Sequence, residues 1–390
     1  MPFIKFGGIE KSAIIYLKEL LKKNYDVRLL IDYNMGLDGN NLEPELPKEL
    51  KYDFIKSKKI TKFIYTFRTL GKKYIIFNIV LYILIFLFDF YYYHTKIKAF
   101  LKENDFDAIV SFYQFSPTYF TNYKKARQII WLHGSVEHFF GKFTKIFRSK
   151  YEKNLNKYDY IVTIAREMKE QLIRFYPNLK NHNIKIIYNP FDFNDILLKS
   201  NDKTSLSEDE KILIRDKYIC TVTRIDENHK DIKTIIMAYK ILYDNSDISD
   251  KLYIIGDGVD RYSLEKITKY LNLEKNILFL GKKTNPYVWM KNANIFILSS
   301  KTEGFGLVLV EAMASGTFVI SSNCEIGPRE ILNYGECGDL FEVGNAKELA
   351  KTIKFALDNK NYKKEKIQKA FARISEFDKN VIIQSLEEIL

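Results

Sequence analysis

Cysteine is scarce in this chain: Cys220, Cys324 and Cys337 are the only three in 390 residues, an odd count without metal-ligand spacing. That pattern excludes a disulfide framework and points to a reducing compartment. The sequence shows no cleavable secretion signal at its start, no internal repeat and no long low-complexity tract, so the expectation is a folded protein that stays inside the cell. Hydrophobic residues at 46% and aromatics at 15% exclude a disordered chain. The length suffices for two domains, each with its own core.

Acidic residues are few in the first half. Residues 1–200 hold 33 Lys+Arg against 20 Asp+Glu, a balance of +13, whereas the remaining 190 hold 28 against 29. The excess is densest across 51–102, where eleven basic residues face only Asp53 and Asp89. Such asymmetry points to a polyanion, either nucleic acid or an anionic membrane surface. No nucleic-acid recognition motif and no stripe of aromatics interleaved with basic residues accompanies it, so no nucleic-acid partner is expected. Inside the basic segment lies "YIIFNIVLYILIFLF", 74–88, fifteen residues without a charge, flanked by Lys72 and Lys73 and by His94, Lys96 and Lys98. A spanning helix needs about 20 apolar residues, reached here only by counting Asp89 and "FYYY", and lysines on both sides give no positive-inside asymmetry. Three readings stand: a helix lying in the membrane interface, a span, or a buried helix of the domain.

Apolar strand-like runs alternate with helix-length amphipathic segments, the pattern of parallel α/β domains. One set of strands is expected at 26–31, 107–113, 128–133, 159–165 and 184–189, and a second at 218–224, 251–256, 276–281, 294–300 and 317–322. The polar stretch "KSNDKTSLSEDEK", 199–211, reads as the linker between them. The expected units are 1–200, 206–370 and a helical tail, 371–390, that returns to the first unit. The opening is irregular. An α/β unit should begin with a complete buried strand, yet "MPFIKF" offers six residues before "GGIEKSAIIYLKELL", so either the first strand is short or the true start lies upstream.

The densest chemistry lies in "TEGFGLVLVEAMASG", 302–316. Glu303 emerges at the C-terminal end of a buried strand, where parallel sheets place their ligands. Gly304 and Gly306 let the backbone approach a ligand, and the helix from about Leu307 favours a phosphate or a polyhydroxy group at its start. Glu311 follows one turn into that helix, and its neighbours "LVLV" and "AMA" leave it little polar face, so it asks for a partner. Two carboxylates bracketing an anion-friendly helix start suit a nucleotide-sugar. Taken singly, either glutamate reads as an ordinary exposed acid. Arg224 and Lys230 follow the strand at 218–224 and would suit a diphosphate, or else are surface cations beside Asp226 and Glu227. His133 in "WLHGS" ends another strand, where it would accept a hydroxyl hydrogen bond or a proton. Two weaker glycine signals are Gly256 in "GDG", without the third glycine of a dinucleotide fingerprint, and Gly8 in the pair that opens the first helix. Asp105-Phe106-Asp107 precedes a strand instead of following one and is read as a loop, with no metal assigned.

Together these residues resemble the retaining glycosyltransferases of family four, which have the GT-B fold. The likeness runs through "GGIEKS", "HGS", "IIYNPFD", "VTRIDENHKDI", "IIGDG", "GPREIL" and, most specifically, 279–323. It implies two facing Rossmann-like domains, with the donor held mainly by the second and the acceptor by the first. Arg224 and Lys230 would clamp the donor diphosphate, and Glu303 would contact the transferred sugar. The backbone of Phe305, Gly306 and Leu307 would lie near its phosphate, and Glu311 would hold the ribose. His133 would touch the sugar, and Gly8 would lie near the phosphates or acceptor. No cofactor or metal is implied. The expected function is transfer of a hexose or N-acetylhexosamine from a nucleotide-sugar, a UDP-sugar in the first instance, to a growing, possibly lipid-pyrophosphate-linked, cell-surface glycan at the inner face of the cytoplasmic membrane. The alternative is a weak or inactive nucleotide-sugar-binding protein. Ala165 stands where the family often has serine, so a polar contact is expected to be missing there.

Overall fold

The computed structural model of the protein describes residues 1, 7–36, 40–71, 75–113, 123, 125–137, 145–179, 182–245 and 248–390. The expected first strand, 2–6, and Lys72, Lys73 and Tyr74 lie outside the described residues.

The second half is a six-stranded, wholly parallel sheet in the order β12-β11-β10-β7-β8-β9. Its strands are β7 (Tyr218–Val222), β8 (Lys251–Ile255), β9 (Ile277–Gly281), β10 (Ile295–Leu298), β11 (Val319–Ser322) and β12 (Asp339–Phe341). These runs are apolar throughout because helices cover both faces. Successive residues supply opposite layers. Ile219, Leu252, Ile254 and Ile297 pack under the helix Ile232–Asn245. Cys220, Tyr253, Phe296 and Leu298 join a core continuous with that of the first half around Ile129, Trp131 and Val162.

The first half has two parallel sheets. One is the pair β1 (Arg28–Tyr33) and β2 (Lys51–Lys56), and the other is β3-β4-β5-β6, formed by Ala108–Ser111, Arg127–Leu132, Tyr160–Thr163 and Ile184–Ile186. Among the described residues no strand lies between β1 and β3, which border a cavity of about 1070 Å³. Met1 bonds to β1 at this place: its amine donates to the Leu30 carbonyl at 2.8 Å, and its carbonyl accepts the Asp32 N–H at 2.7 Å.

Two strands, β2 and β12, have no counterpart in the expected set. Both are edge strands: Lys51, Tyr52 and Asp53 are exposed, and β12 has only three residues, so neither carries an apolar run. The supposed linker is also more ordered than its polarity suggests. The helix Phe193–Asn201 ends within it and Glu208–Leu213 begins within it, the latter closed by a Ser207–Glu210 capping box. Its serine and glutamate are polar because they cap a helix. At the other end, the chain crosses back where Phe377 and Lys379 bond to the Phe191 backbone at 3.0 Å each. The helix Lys379–Glu387 then lies against Gly8–Lys22, with Lys379 to Glu19 at 3.1 Å and Lys23 to Glu387 at 2.7 Å.

The apolar run forms the helix Ile75–Tyr92. No helix among the described residues is long and apolar enough to cross a membrane. Leu81 packs on Ile64 and Tyr33, but Ile83, Phe86, Leu87 and Phe90 are each more than half exposed. Among the described side chains, the helix therefore turns Leu81 inward and these four outward.

Candidate active site

The sheet order places β7 beside β10, with Ile219 opposite Ile295 and Cys220 opposite Phe296. From β7 the chain continues to β8 on one side; from β10 it continues to β11 on the other. Such a reversal leaves a crevice beyond the carboxyl ends of the two strands. Lys230 reaches it through a turn in which its N–H bonds to the Asp226 carbonyl at 2.8 Å. Ser300 and Glu303 reach it from the end of β10. The Lys230 ammonium donates to Glu303 Oε1, and Ser300 Oγ donates to the same oxygen at 2.6 Å. Both charged side chains are largely sheltered, 19% and 11% exposed. Arg224 stands apart at the rim, two-thirds exposed and paired with Asp226 at 3.0 Å.

The first half closes over this point. A Cβ placed on Gly304 would stand 2.3 Å from the carbonyl oxygen of His133, and one on Gly8 would stand 2.4 Å from Leu307 Cδ1. Two glycine positions anticipated from sequence thus mark where the halves touch. The His133 ring is buried against Phe112, centroids 4.6 Å apart. Burial lowers its pKa to about 3, so the imidazole stays neutral, which suits hydrogen bonding to a hydroxyl and opposes holding a proton.

Gly306 precedes the helix Leu307–Ala314 with φ +107°, in the left-handed region that favours glycine. Glu311 on that helix is buried, and its partner is Tyr287, whose hydroxyl donates at 3.3 Å. Burial pushes the carboxyl up, opposed by Lys11, the Tyr287 hydrogen bond and Lys199. Two other anticipated residues are also closely packed. The Phe305 ring lies 5.9 Å from Tyr188 and 5.5 Å from Phe377, within the aromatic cluster that joins the halves. Gly256, at φ +134°, would place a Cβ 1.8 Å from the Thr223 carbonyl, so glycine is needed where β7 and β8 end side by side.

The structure adds acids that were not singled out. Glu330, 3% exposed, accepts the Arg166 N–H at 2.8 Å and the Tyr188 hydroxyl at 2.5 Å, both from the first half. Glu167 accepts the Gly327 N–H at 3.2 Å from the second half. Burial raises its carboxyl to about 7, with Glu330 and Glu170 adding to the rise and the Gly327 bond and Arg329 opposing it. Glu330 carried the signal that marked Glu311, an acid beside apolar residues in "GPREIL". Asp105 pairs with Lys125 at 3.2 Å, and among the described residues no group of His, Cys, Asp and Glu is placed to hold a metal.

Two facing α/β units of parallel strands, with a crevice at the strand ends, define the GT-B architecture of glycosyltransferases. Residues 6–195 match the family described as Glycosyltransferase Family 4 and residues 202–373 that described as Glycosyl transferases group 1, and the chain belongs to this glycosyltransferase family. It is 32% identical over 223 residues, 57% of each chain, to the N-acetylgalactosamine-N,N'-diacetylbacillosaminyl-diphospho-undecaprenol 4-alpha-N-acetylgalactosaminyltransferase of Campylobacter jejuni. It is 26% identical over 221 residues, 55% of this chain and 54% of the other, to the lipopolysaccharide 1,6-galactosyltransferase of Salmonella typhimurium. The chain spans just over half the length of these two relatives. Its fold is similar to that of Anabaena Alr3699/HepE in complex with UDP and glucose, with a TM-score of 0.74 at 19% identity over 100% of this chain and 97% of that one.

Proposed function

We propose that the protein is a retaining, metal-independent glycosyltransferase that moves a hexose or N-acetylhexosamine from a UDP-sugar to a growing, lipid-pyrophosphate-linked cell-surface glycan. The observation that carries this reading is the Lys230–Glu303–Ser300 contact in the crevice beyond β7 and β10, next to which Gly304 packs on the His133 carbonyl. The Campylobacter and Salmonella relatives support the glycan class of acceptor, and the UDP-bound likeness supports the donor.

Lys230 and Glu303 neutralise one another in the free protein. A donor diphosphate would draw the ammonium to itself, releasing the carboxylate to accept hydrogen bonds from the sugar hydroxyls. As the anomeric C–O bond breaks, positive charge grows on the sugar and negative charge on the departing diphosphate, where Lys230 and Arg224 supply compensation. The acceptor oxygen forms its bond to the anomeric carbon on the face from which the diphosphate leaves, and the acceptor proton passes to a diphosphate oxygen. Retention then needs no enzymic base, in keeping with a neutral His133. Glu311 would hold the ribose hydroxyls from its place beside Tyr287.

The exposed Ile83, Phe86, Leu87 and Phe90, with exposed Lys58, Lys59, Lys62, Lys96 and Lys98 in the same helical region, support docking on an anionic bilayer at the cytoplasmic face, where a lipid-linked acceptor would be presented.

The test is a donor screen: protein with anionic liposomes, lipid-linked acceptor and a panel of UDP-, GDP- and ADP-sugars, following nucleoside diphosphate release with and without EDTA. Turnover of one UDP-sugar, insensitive to EDTA and lost in Glu303→Gln, is expected. Binding of UDP without turnover of any donor would overturn the reading.

A further inference from the structure

The helix Arg166–Phe175 begins after Ala165, whose methyl group cannot cap it. Its first free N–H, that of Arg166, is instead taken by Glu330 of the other domain at 2.8 Å. The second oxygen of Glu330 accepts from Tyr188 at 2.5 Å, while Arg373 binds the Glu330 backbone carbonyl at 2.9 Å. Glu167, one residue into the same helix, reaches the opposite way and accepts the Gly327 N–H at 3.2 Å. Each domain therefore gives a carboxylate to a backbone N–H of the other, with the Glu330 and Glu167 side chains 3% and 13% exposed.

This exchange touches the candidate site directly. Gly327 lies against the turn that follows Glu303: a Cβ there would stand 1.9 Å from the Phe305 carbonyl, and φ is +91°. The same turn carries Gly304 against the His133 carbonyl. A continuous path of packed backbone thus runs from the two carboxylates to the meeting of Glu303 with the other domain.

We infer that Glu330 and Glu167 form a reciprocal interdomain fastening that holds the turn 303–307 over His133, with Glu330 as a positioning residue for transfer. Glu330 touches no reacting atom in this role; it keeps the two halves of the crevice in register. The inference rests on transfer taking place in the crevice described above.

The test separates helix capping from interdomain positioning. Glu330→Ala is compared with Ala165→Ser/Glu330→Ala, in which a serine restores a cap to the helix without restoring the tie between domains. Glu330→Ala is expected to lower kcat about tenfold or more, with a smaller change in donor KM, and to raise hydrogen exchange at amides 304–307 about tenfold or more. The added serine should restore the melting temperature but neither kcat nor amide protection. Tyr188→Phe, which removes a single hydroxyl, should show the same effects in smaller measure. Recovery of kcat and protection together with the melting temperature in the double variant would reduce Glu330 to a helix cap. Unchanged protection in Glu330→Ala would likewise overturn the inference. Absence of turnover in the wild-type protein would instead count against the transferase reading, and the exchange measurement would still decide the fastening.

Discussion

Gly304 lies so close to His133 that a Cβ at residue 304 would stand 2.3 Å from the His133 carbonyl oxygen. The two residues are far apart in sequence and follow strands of different sheets, and their backbones meet where Glu303 turns away from β10. A bare backbone after the first glutamate is therefore a requirement of the facing domain as well as of any ligand. Gly304→Ala should push the halves apart, lowering kcat/KM about tenfold or more through misplacement of the site and costing about 1–3 kcal/mol of stability from overpacking. Initial rates and urea unfolding of the variant check both. A variant with wild-type rates would show that the contact is incidental to transfer.

The ion pair of Lys230 with Glu303 makes an asymmetric prediction. Glu303→Gln frees the ammonium for the donor diphosphate, so UDP should bind as tightly as before or more tightly while transfer falls about 10²–10³-fold. Lys230→Ala should weaken UDP binding and transfer together. Calorimetric titration of UDP into the two variants distinguishes these outcomes, and equal loss of affinity in both would be evidence against the division of roles.

The Tyr287 hydroxyl donates a hydrogen bond to the buried Glu311 carboxyl. Tyr287→Phe should destabilise the protein by about 1–3 kcal/mol by leaving a buried polar group without that partner. The donor KM should rise as well, because Glu311 would lose the hydroxyl that orients it. Urea unfolding and donor saturation curves provide the two readouts.

Glu167 gives stability a particular dependence on pH. Its folded-state carboxyl is raised to about 7 from an ordinary value of 4.5, so the folded protein holds a proton that the unfolded chain has released between these values. The contribution is fully present below pH 4.5 and lost as pH rises through 7. Relative to Glu167→Gln, the wild-type unfolding free energy should decline across that window. Parallel curves for the two proteins would show that Glu167 titrates normally.

Phe86→Ser/Phe90→Ser removes two exposed apolar side chains of the helix Ile75–Tyr92. Co-sedimentation with anionic liposomes should fall about tenfold or more, since each buried apolar side chain is worth about 1.5–3 kcal/mol. The melting temperature should hardly change, because both side chains are exposed in the free protein. Binding of the wild-type protein should also weaken with salt. Retained co-sedimentation in the double variant would move the membrane contact elsewhere.

Much of this molecule was legible along the chain. Buried parallel strands such as Tyr218–Val222 and Ile295–Leu298 announce themselves as apolar runs, because both of their faces are covered. Glu311 was legible for a related reason, being an acid in a helix with no polar face. The edge strands β2 and β12 escaped notice because an exposed or very short strand needs no apolar run. The polar stretch 199–211 concealed two helix ends, since capping residues and loop residues are the same residues.

The positions of Lys230, Glu303, Gly304 and His133 at strand ends followed from the sequence alone, because local patterning decides where a strand stops and glycine permits a turn. Their assembly was decided only by the tertiary structure. Lys230 meets Glu303 because β7 and β10 are neighbours at the point where strand order reverses, whereas Arg224, on the same strand end as expected, turns outward to Asp226. Glu330 finds Arg166 and Tyr188 only when the domains face one another. Hydrophobic periodicity records which side of a strand or helix is buried but carries no information about the element it is buried against, and a carboxylate's partner is settled by that second fact.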